Sequence, residues 1–244
     1  MRPALSAIII GNEVLTAKVT EANGALLIKR CRERGVELDS MHFIRDDVDA
    51  IVEQITACRR RARFLLTSGG VGPTHDDVTV RAVALALRRD VIRLPDMEAR
   101  LRAHYGSRPM PEEALRMAEA PAGATLIASD DARFPVLECD GVFMLPGVPQ
   151  LFRVHLEAVL PRLPGTPVSL RQLFLSAAES DIASALDAVA KAHPHVNIGS
   201  YPTWDDSADH RVKLTVEHAS PEVTGKIIEL LRQSLPEGSI LRAD

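Results

Sequence analysis

Residues 67–77 read Thr67-Ser68-Gly69-Gly70-Val71-Gly72-Pro73-Thr74-His75-Asp76-Asp77. Glycines at this spacing let the backbone take positive φ and approach a ligand where any Cβ would clash. Amides bared on such a turn, ahead of a helix N-terminus, favour anionic oxygens such as those of phosphate. Ser68 and Thr74 add hydroxyls that can donate to phosphate oxygens. Asp76 and Asp77 are hard oxygen ligands of the kind magnesium accepts beside substrate phosphates. The plainer alternative is a tight turn in which Asp77 caps the next helix and Asp76 is solvated.

Two other sharp turns, Gly11-Asn12-Glu13 and Pro146-Gly147-Val148-Pro149, also follow apolar runs that read as strands. In an open α/β sheet, ligands bind outside the carboxyl ends of the strands. If these strands are parallel, all three turns share one rim. There Gly69, Gly70, Gly72 and Gly147, with Gly11 and Pro146, offer backbone, while Glu13, Asp46, Asp76 and Asp77 offer carboxylates beside Asn12. Carboxylates next to a phosphate cradle repel the substrate unless a cation intervenes, so a divalent metal such as magnesium, manganese or cobalt is expected. Asp46 has a competing reading as a helix cap. Ser68, His75 and Asp77 are poor candidates for a nucleophilic triad, because Ser68 precedes the glycines and no G-x-S-x-G elbow is present. His193-Pro194-His195 reads as a solvated loop pair rather than a zinc site.

The elements that must position these residues alternate. Strands are expected at 6–10, 36–44 and 64–66, and helices at 20–34, after Asp46-Asp47, and from Val78 onward. Gly35 closes the first helix. This β-α-β-α-β order implies right-handed crossovers and a parallel sheet. Further helices are expected at 96–105, 112–120 and 150–160, with a hairpin of 133–139 and 142–145 around Asp140-Gly141. Prolines and a glycine cluster at 161–167, which places a boundary between a domain of residues 1–164 and one of 165–244. The second reads strand, helix, strand, strand, helix, strand, the ferredoxin-like order.

Bulk properties narrow the class. With 46% hydrophobic and 25% charged residues, the 244-residue chain has the make-up of a soluble globular protein. A net charge of -4 and 4% aromatics argue against a nucleic-acid binder. The basic run Arg59-Arg60-Arg61-Ala62-Arg63 is better read as cations closing a helix. Three cysteines without a C-x-x-C pair suggest reduced thiols, and no signal-peptide or membrane-spanning run is found, so a cytoplasmic location is expected.

Gly11-Asn12-Glu13, Thr67 to Thr79 and Leu145-Pro146-Gly147-Val148-Pro149 together resemble the molybdopterin-binding domain shared by molybdenum-cofactor (MoCF) biosynthesis proteins. Within that superfamily the chain is most similar to the N-terminal domain of competence/damage-inducible protein A (CinA) and to the molybdopterin-binding-like half of FAD synthase. Residues 198–204 and 212–215 resemble the segment that follows that half in FAD synthase. The resemblance implies a three-layer α/β sandwich with a mostly parallel sheet, a pterin or nucleotide pocket, and an oligomer, with a dimer expected. In these two branches it also implies metal-dependent hydrolysis of a pyrophosphate link, as in ADP-ribose or FAD. Gly69, Gly70, Gly72 and Thr74 would then hold phosphate, and Asp76 and Asp77 the metal or its water. Asn12 stands where many molybdopterin enzymes carry an aspartate, and Gln150 where the FAD-synthase branch has an acid. These departures keep open a second expectation, a binding protein that holds molybdopterin or a nucleotide without turnover. The deamidase domain of competence proteins and the adenylyltransferase domain of FAD synthase have no counterpart in these residues, so neither activity is expected of them.

Overall fold

The computed structural model describes residues 2–128, 133–205 and 207–244. It divides into two compact units, Met1–Gly165 and Thr166–Asp244. The first is built on a six-stranded sheet of order β2-β1-β3-β8-β7-β6. Its strands are β1 (Arg2–Ile10), β2 (Leu38–Ile44), β3 (Ala62–Ser68), β6 (Thr125–Ile127), β7 (Val136–Cys139) and β8 (Val142–Leu145). β1 is parallel to β2 and β3, and β3 is parallel to β8, while β7 and β6 complete the sheet antiparallel.

Helices cover both faces: α1 (Asn12–Leu15), α2 (Asn23–Arg34), α3 (Val48–Cys58), α4 (Thr79–Leu87), α5 (Pro95–Tyr105) and α6 (Pro149–Val159). Strand alternation explains how one sheet fills two cores. Leu5, Ala7, Leu66, Phe143 and Leu145 pack on one side with Leu27 and Cys31 of α2 and Phe152, Leu156 and Val159 of α6. Ile8, Ile10, Leu65, Val142 and Met144 pack on the other with Ile51 and Ile55 of α3 and Ala82 and Val83 of α4. The result is a three-layer α/β sandwich with a mostly parallel sheet.

Local departures from expectation have local causes. α2 begins at Asn23 rather than Thr20 because Glu21 is spent on the Gly24 amide, at 2.6 Å. Gly35 ends it in the left-handed conformation, φ 64°. Residues 112–120 do not make one helix. A 310 segment, Glu112–Ala118, gives way to strand β5 (Glu119–Pro121), which pairs with β4 (Val91–Arg93) after Leu94 N bonds Ala118 O. The basic run follows α3 and is engaged within the unit: Arg59 donates to Asp140 O at 2.7 Å, and Arg61 pairs with Asp39 at 3.0 Å. Asp140 and Gly141, with φ of 49° and 80°, form the two-residue turn joining β7 to β8, as a type I′ hairpin requires.

The second unit is a four-stranded antiparallel sheet of order β10-β11-β9-β12. Its elements are β9 (Ser169–Leu175), α7 (Glu179–Ala192), β10 (Asn197–Pro202), β11 (Val212–His218), α8 (Pro221–Ser234) and β12 (Ile240–Ala243). Leu173, Leu175, Val212, Leu214 and Val216 turn one face toward Ile182, Ile227 and Leu231 of the two helices. Order and strand placement are those of the ferredoxin-like fold. Among the described residues, no helix is long and apolar enough to cross a membrane.

Phe152 is fully buried between sheet and helix. Phe152→Ala should therefore lower unfolding free energy by roughly 3–5 kcal/mol, read by urea denaturation followed by circular dichroism. Cys31, Cys58 and Cys139 are all buried and free, and burial pushes the Cys31 thiol up to about 11. A thiol-specific reagent should label the native protein far more slowly than the urea-unfolded chain.

Candidate functional site

The parallel run β1-β3-β8 brings three strand ends to one edge. Ile9 pairs with Ser68, and Ser68 with Leu145. The turns beginning at Gly11, Gly69 and Pro146 therefore leave the sheet at nearly the same rung. Gly69 N donates to Leu145 O at 3.0 Å, and Gly11 N to Ile44 O at 3.1 Å. Gly69 has φ 108°, and a Cβ there would overlap the carbonyl oxygen of Ile10. A Cβ on Gly147 would sit 3.4 Å from Gly69 Cα. The strand ends thus meet backbone to backbone, which only glycine permits at Gly69.

The first residue of α4 locks the turn from the other side. Thr79 Oγ1 donates to Gly69 O at 2.8 Å, and Thr79 N to Gly70 O at 3.0 Å. Gly70, at φ 67°, lies so close to the Thr79 hydroxyl that a side chain would collide with it. Asn23, at the start of α2 and buried, spans two turns. Its Nδ2 donates to Ser68 Oγ at 3.0 Å and to Gly147 O at 2.8 Å. No motif flagged Asn23, because a lone asparagine before an apolar helix looks like an ordinary cap.

This network corrects the expectation for Ser68. The residue is 1% exposed, and its hydroxyl accepts from Asn23 and faces Pro146 O at 3.5 Å, so it ties the rim together instead of facing a phosphate. With His75 out in solvent, Ser68 and His75 form no nucleophilic pair. Thr74 remains exposed, but its amide and hydroxyl both donate to Asp77 Oδ2, the amide at 2.8 Å. Asp77 therefore closes its own loop and does not cap α4, whose first turn has no side-chain cap. Gly72 leaves the space that this carboxylate fills, since a Cβ would come within 2.6 Å of it. Asp76 is exposed, near the Thr74 hydroxyl that is bonded to Asp77. That hydroxyl, ahead of its own backbone amide and the nearby His75, holds the Asp76 carboxyl below the usual carboxylate range.

The remaining carboxylates are spread along the rim. Asp46 Oδ2 accepts from Asn12 N at 2.8 Å, while Asp47, not Asp46, caps α3 through Ala50 N at 2.9 Å. Glu13 lies inside the short helix α1, exposed and curled back over Gly11, rather than in a turn before any helix. Among the described residues, no three His, Cys, Asp or Glu side chains group as a metal site, so Asp46 is not joined to Asp76 and Asp77. The pair Asp76-Asp77 still suits magnesium, which keeps several waters and completes its shell with substrate phosphates.

Against the glycine turn lies a cavity of about 280 Å³, lined by Gly70, Gly72 and Gly147 and by Met97, Met117 and Met144. His155 of α6 is in its wall, and burial holds that imidazole below its ordinary range. A larger concavity of about 820 Å³ belongs wholly to the second unit, beside Trp204, which is 93% exposed. It has no glycine turn in its lining. In the second unit His218 joins His193 and His195 in a chain of edge-to-face rings, with centroids 6.0 and 5.7 Å apart.

Residues 6–175 match the family model described as "Probable molybdopterin binding domain". The chain belongs to this molybdopterin-binding domain family. Residues 167–244 match the middle domain of FAD synthase. A protein from Aeropyrum pernix is 30% identical over 96% of this chain and 95% of its own length. A Caenorhabditis elegans protein named "Probable FAD synthase" is 30% identical over 96% of this chain, which spans 50% of that relative. The crystal structure of CinA from Thermoplasma acidophilum superposes with a TM-score of 0.61 at 27% identity, covering 67% of this chain and all of that one.

Gly69→Ala tests the crowding at the rim. The left-handed φ alone costs roughly 1–3 kcal/mol, and the Ile10 carbonyl leaves the new methyl no room. The expected outcome is a fall in thermal midpoint several times that of Gly123→Ala, whose positive φ faces open space.

Proposed function

We propose that the first unit is a metal-dependent hydrolase of a pyrophosphate link in a dinucleotide of the ADP-ribose or FAD type. The observation that carries this reading is the convergence of three strand-end turns on a glycine cradle that ends in Asp76 and Asp77. Anionic oxygens fit the amides of the half-buried residues 70–72, which follow a strand end and precede α4. Asp76 and Asp77 would hold a divalent metal, which when bound offsets phosphate charge and lowers the pKa of an attacking water. Thr74 fixes Asp77 in place through two hydrogen bonds. Asp76, whose carboxyl is held below its usual range, would orient water and is a weak base. In the reaction the water oxygen bonds to one phosphorus and the bridging oxygen leaves with its electron pair. One water proton ends on the leaving phosphate or in solvent, giving two phosphomonoesters.

A second reading is retention of a pterin or nucleotide without turnover. It is favoured by the commitment of Asp77 to Thr74 and by the lack of a third ligand among the described residues. The two readings separate on one experiment, with FAD and ADP-ribose offered together with magnesium, manganese or cobalt and the products identified by mass spectrometry. Hydrolysis predicts AMP with FMN or ribose 5-phosphate, and a kcat lowered roughly 10–100-fold by Asp76→Asn. Tight binding that needs no metal and survives Asp76→Asn, with no product, would sink the hydrolase.

The pH dependence follows from the sign of the Asp76 shift. A lowered carboxylate stays charged above its folded value and loses its contribution only as pH falls through that value. Wild-type kcat should therefore show no acid limb traceable to Asp76 at ~pH 5–8, and the Asp76→Asn profile should run parallel to it there.

A further inference from the structure

We propose that one face of α5 carries an oxyanion site, separate from the glycine rim, that takes a phosphate-class anion. Arg100 and His104 stand four residues apart on α5, so they share one face of the helix. Arg133 reaches them from the segment before β7, and its Nη1 lies 2.9 Å from His104 Nδ1. A guanidinium only donates, so Nδ1 accepts and the ring proton is on Nε2. Arg108, just past the end of α5, donates Nη2 to His104 O at 3.0 Å and lies 5.5 Å over the Tyr105 ring. Tyr105 and Phe134 hold the imidazole in edge-to-face contacts, with centroids 5.4 and 5.8 Å away.

Three guanidiniums are thus gathered about one neutral imidazole. Partial burial first, then the charges of Arg133 and Arg108, hold that imidazole below its ordinary range. Among the described residues, no carboxylate pairs with Arg100, Arg108 or Arg133. By contrast, Arg102 of the same helix pairs with Glu98, Arg61 with Asp39 and Arg89 with Asp140. Like charges held together without a counter-charge repel, and an anion seated among them offsets that repulsion. Arginine suits phosphate because its planar fork gives parallel N–H donors to one oxyanion. Several cations around one space favour a dianion, such as phosphate or a phosphomonoester, over a single carboxylate. The space is an open concavity of about 450 Å³, lined by Arg100, Ala103, His104 and Arg133. No residue of the glycine turn lines it, so the site stands whether or not the rim holds a pyrophosphate.

The test follows the His104 ring protons by NMR in the full chain, identified by their loss in His104→Gln. Inorganic phosphate, sulfate or AMP is added at neutral pH and constant ionic strength, without metal. Phosphate should shift these resonances saturably, with sulfate competing for the same site. Arg100→Gln and Arg133→Gln should each weaken that binding roughly two- to fivefold, the size expected of exposed ion pairs. Both side chains are exposed, so neither change disturbs the core. AMP that binds more tightly than phosphate, with the same dependence on Arg100, assigns the anion to a phosphomonoester. AMP that binds no better assigns it to free phosphate. Chloride that reproduces every shift at equal ionic strength would overturn the site, as would phosphate binding that both variants leave unchanged. Single-stranded RNA that shifts His104 where phosphate does not would also overturn it, and would make this face a nucleic-acid surface.

Discussion

The contact on which the site depends is the meeting of three strand ends at Gly69. Neighbouring strands in a sheet are normally held about 4.8 Å apart by their ladder, and side chains keep the loops beyond them separate. Here the turn after β3 is pressed between the Ile10 carbonyl on one side and Gly147 on the other. No side chain fits at Gly69, whose own amide is spent on Leu145 O, and the half-buried amides of residues 70–72 come next along the turn. The same crowding brings the polar groups nearby onto one another, although Asn23 Oδ1 has no partner among the described residues. Asn23, Ser68 and Thr79 are buried and bonded across the turns. Their role is to hold the gap open at a fixed width, and the exposed carboxylates then stand on a rigid base.

That division of labour bears on the chemistry. A site that clamped substrate with buried charged side chains would pay a desolvation cost before any ligand arrived. This rim presents backbone dipoles instead, which need no charge to be buried, and keeps its ionised groups, Asp76 and Glu13, in solvent.

Much of this was legible in the residues. Continuous β-branched runs announced the buried parallel strands, Gly35 announced a helix end, and Asp140-Gly141 announced a hairpin. The rim followed from combining those strands with the rule for α/β sheets. What stayed hidden depended on partners far away in the chain. Ser68 reads as a ligand-facing hydroxyl until Asn23, forty-five positions earlier, is seen to hold it. Asp77 reads as a helix cap until its acceptor role toward Thr74 is seen. Residues 112–120 have helical composition, but pairing with β4 outweighs a weak local preference.

The two-residue turn Asp140-Gly141 has a consequence for what this fold can tolerate over time. It reverses the chain so that β8 runs alongside β3 and delivers Gly147 to Gly69. Because side chains alternate along a strand, slipping β8 by a single residue would exchange Phe143 and Leu145 with Val142 and Met144 between the two cores. It would also carry Gly147 out of register with Gly69. Length change is therefore forbidden where the loop is shortest, although surface hairpins elsewhere are common places for insertions. A lineage that diversifies this protein can vary the exposed loops freely, but it must count residues faithfully between Cys139 and Pro149.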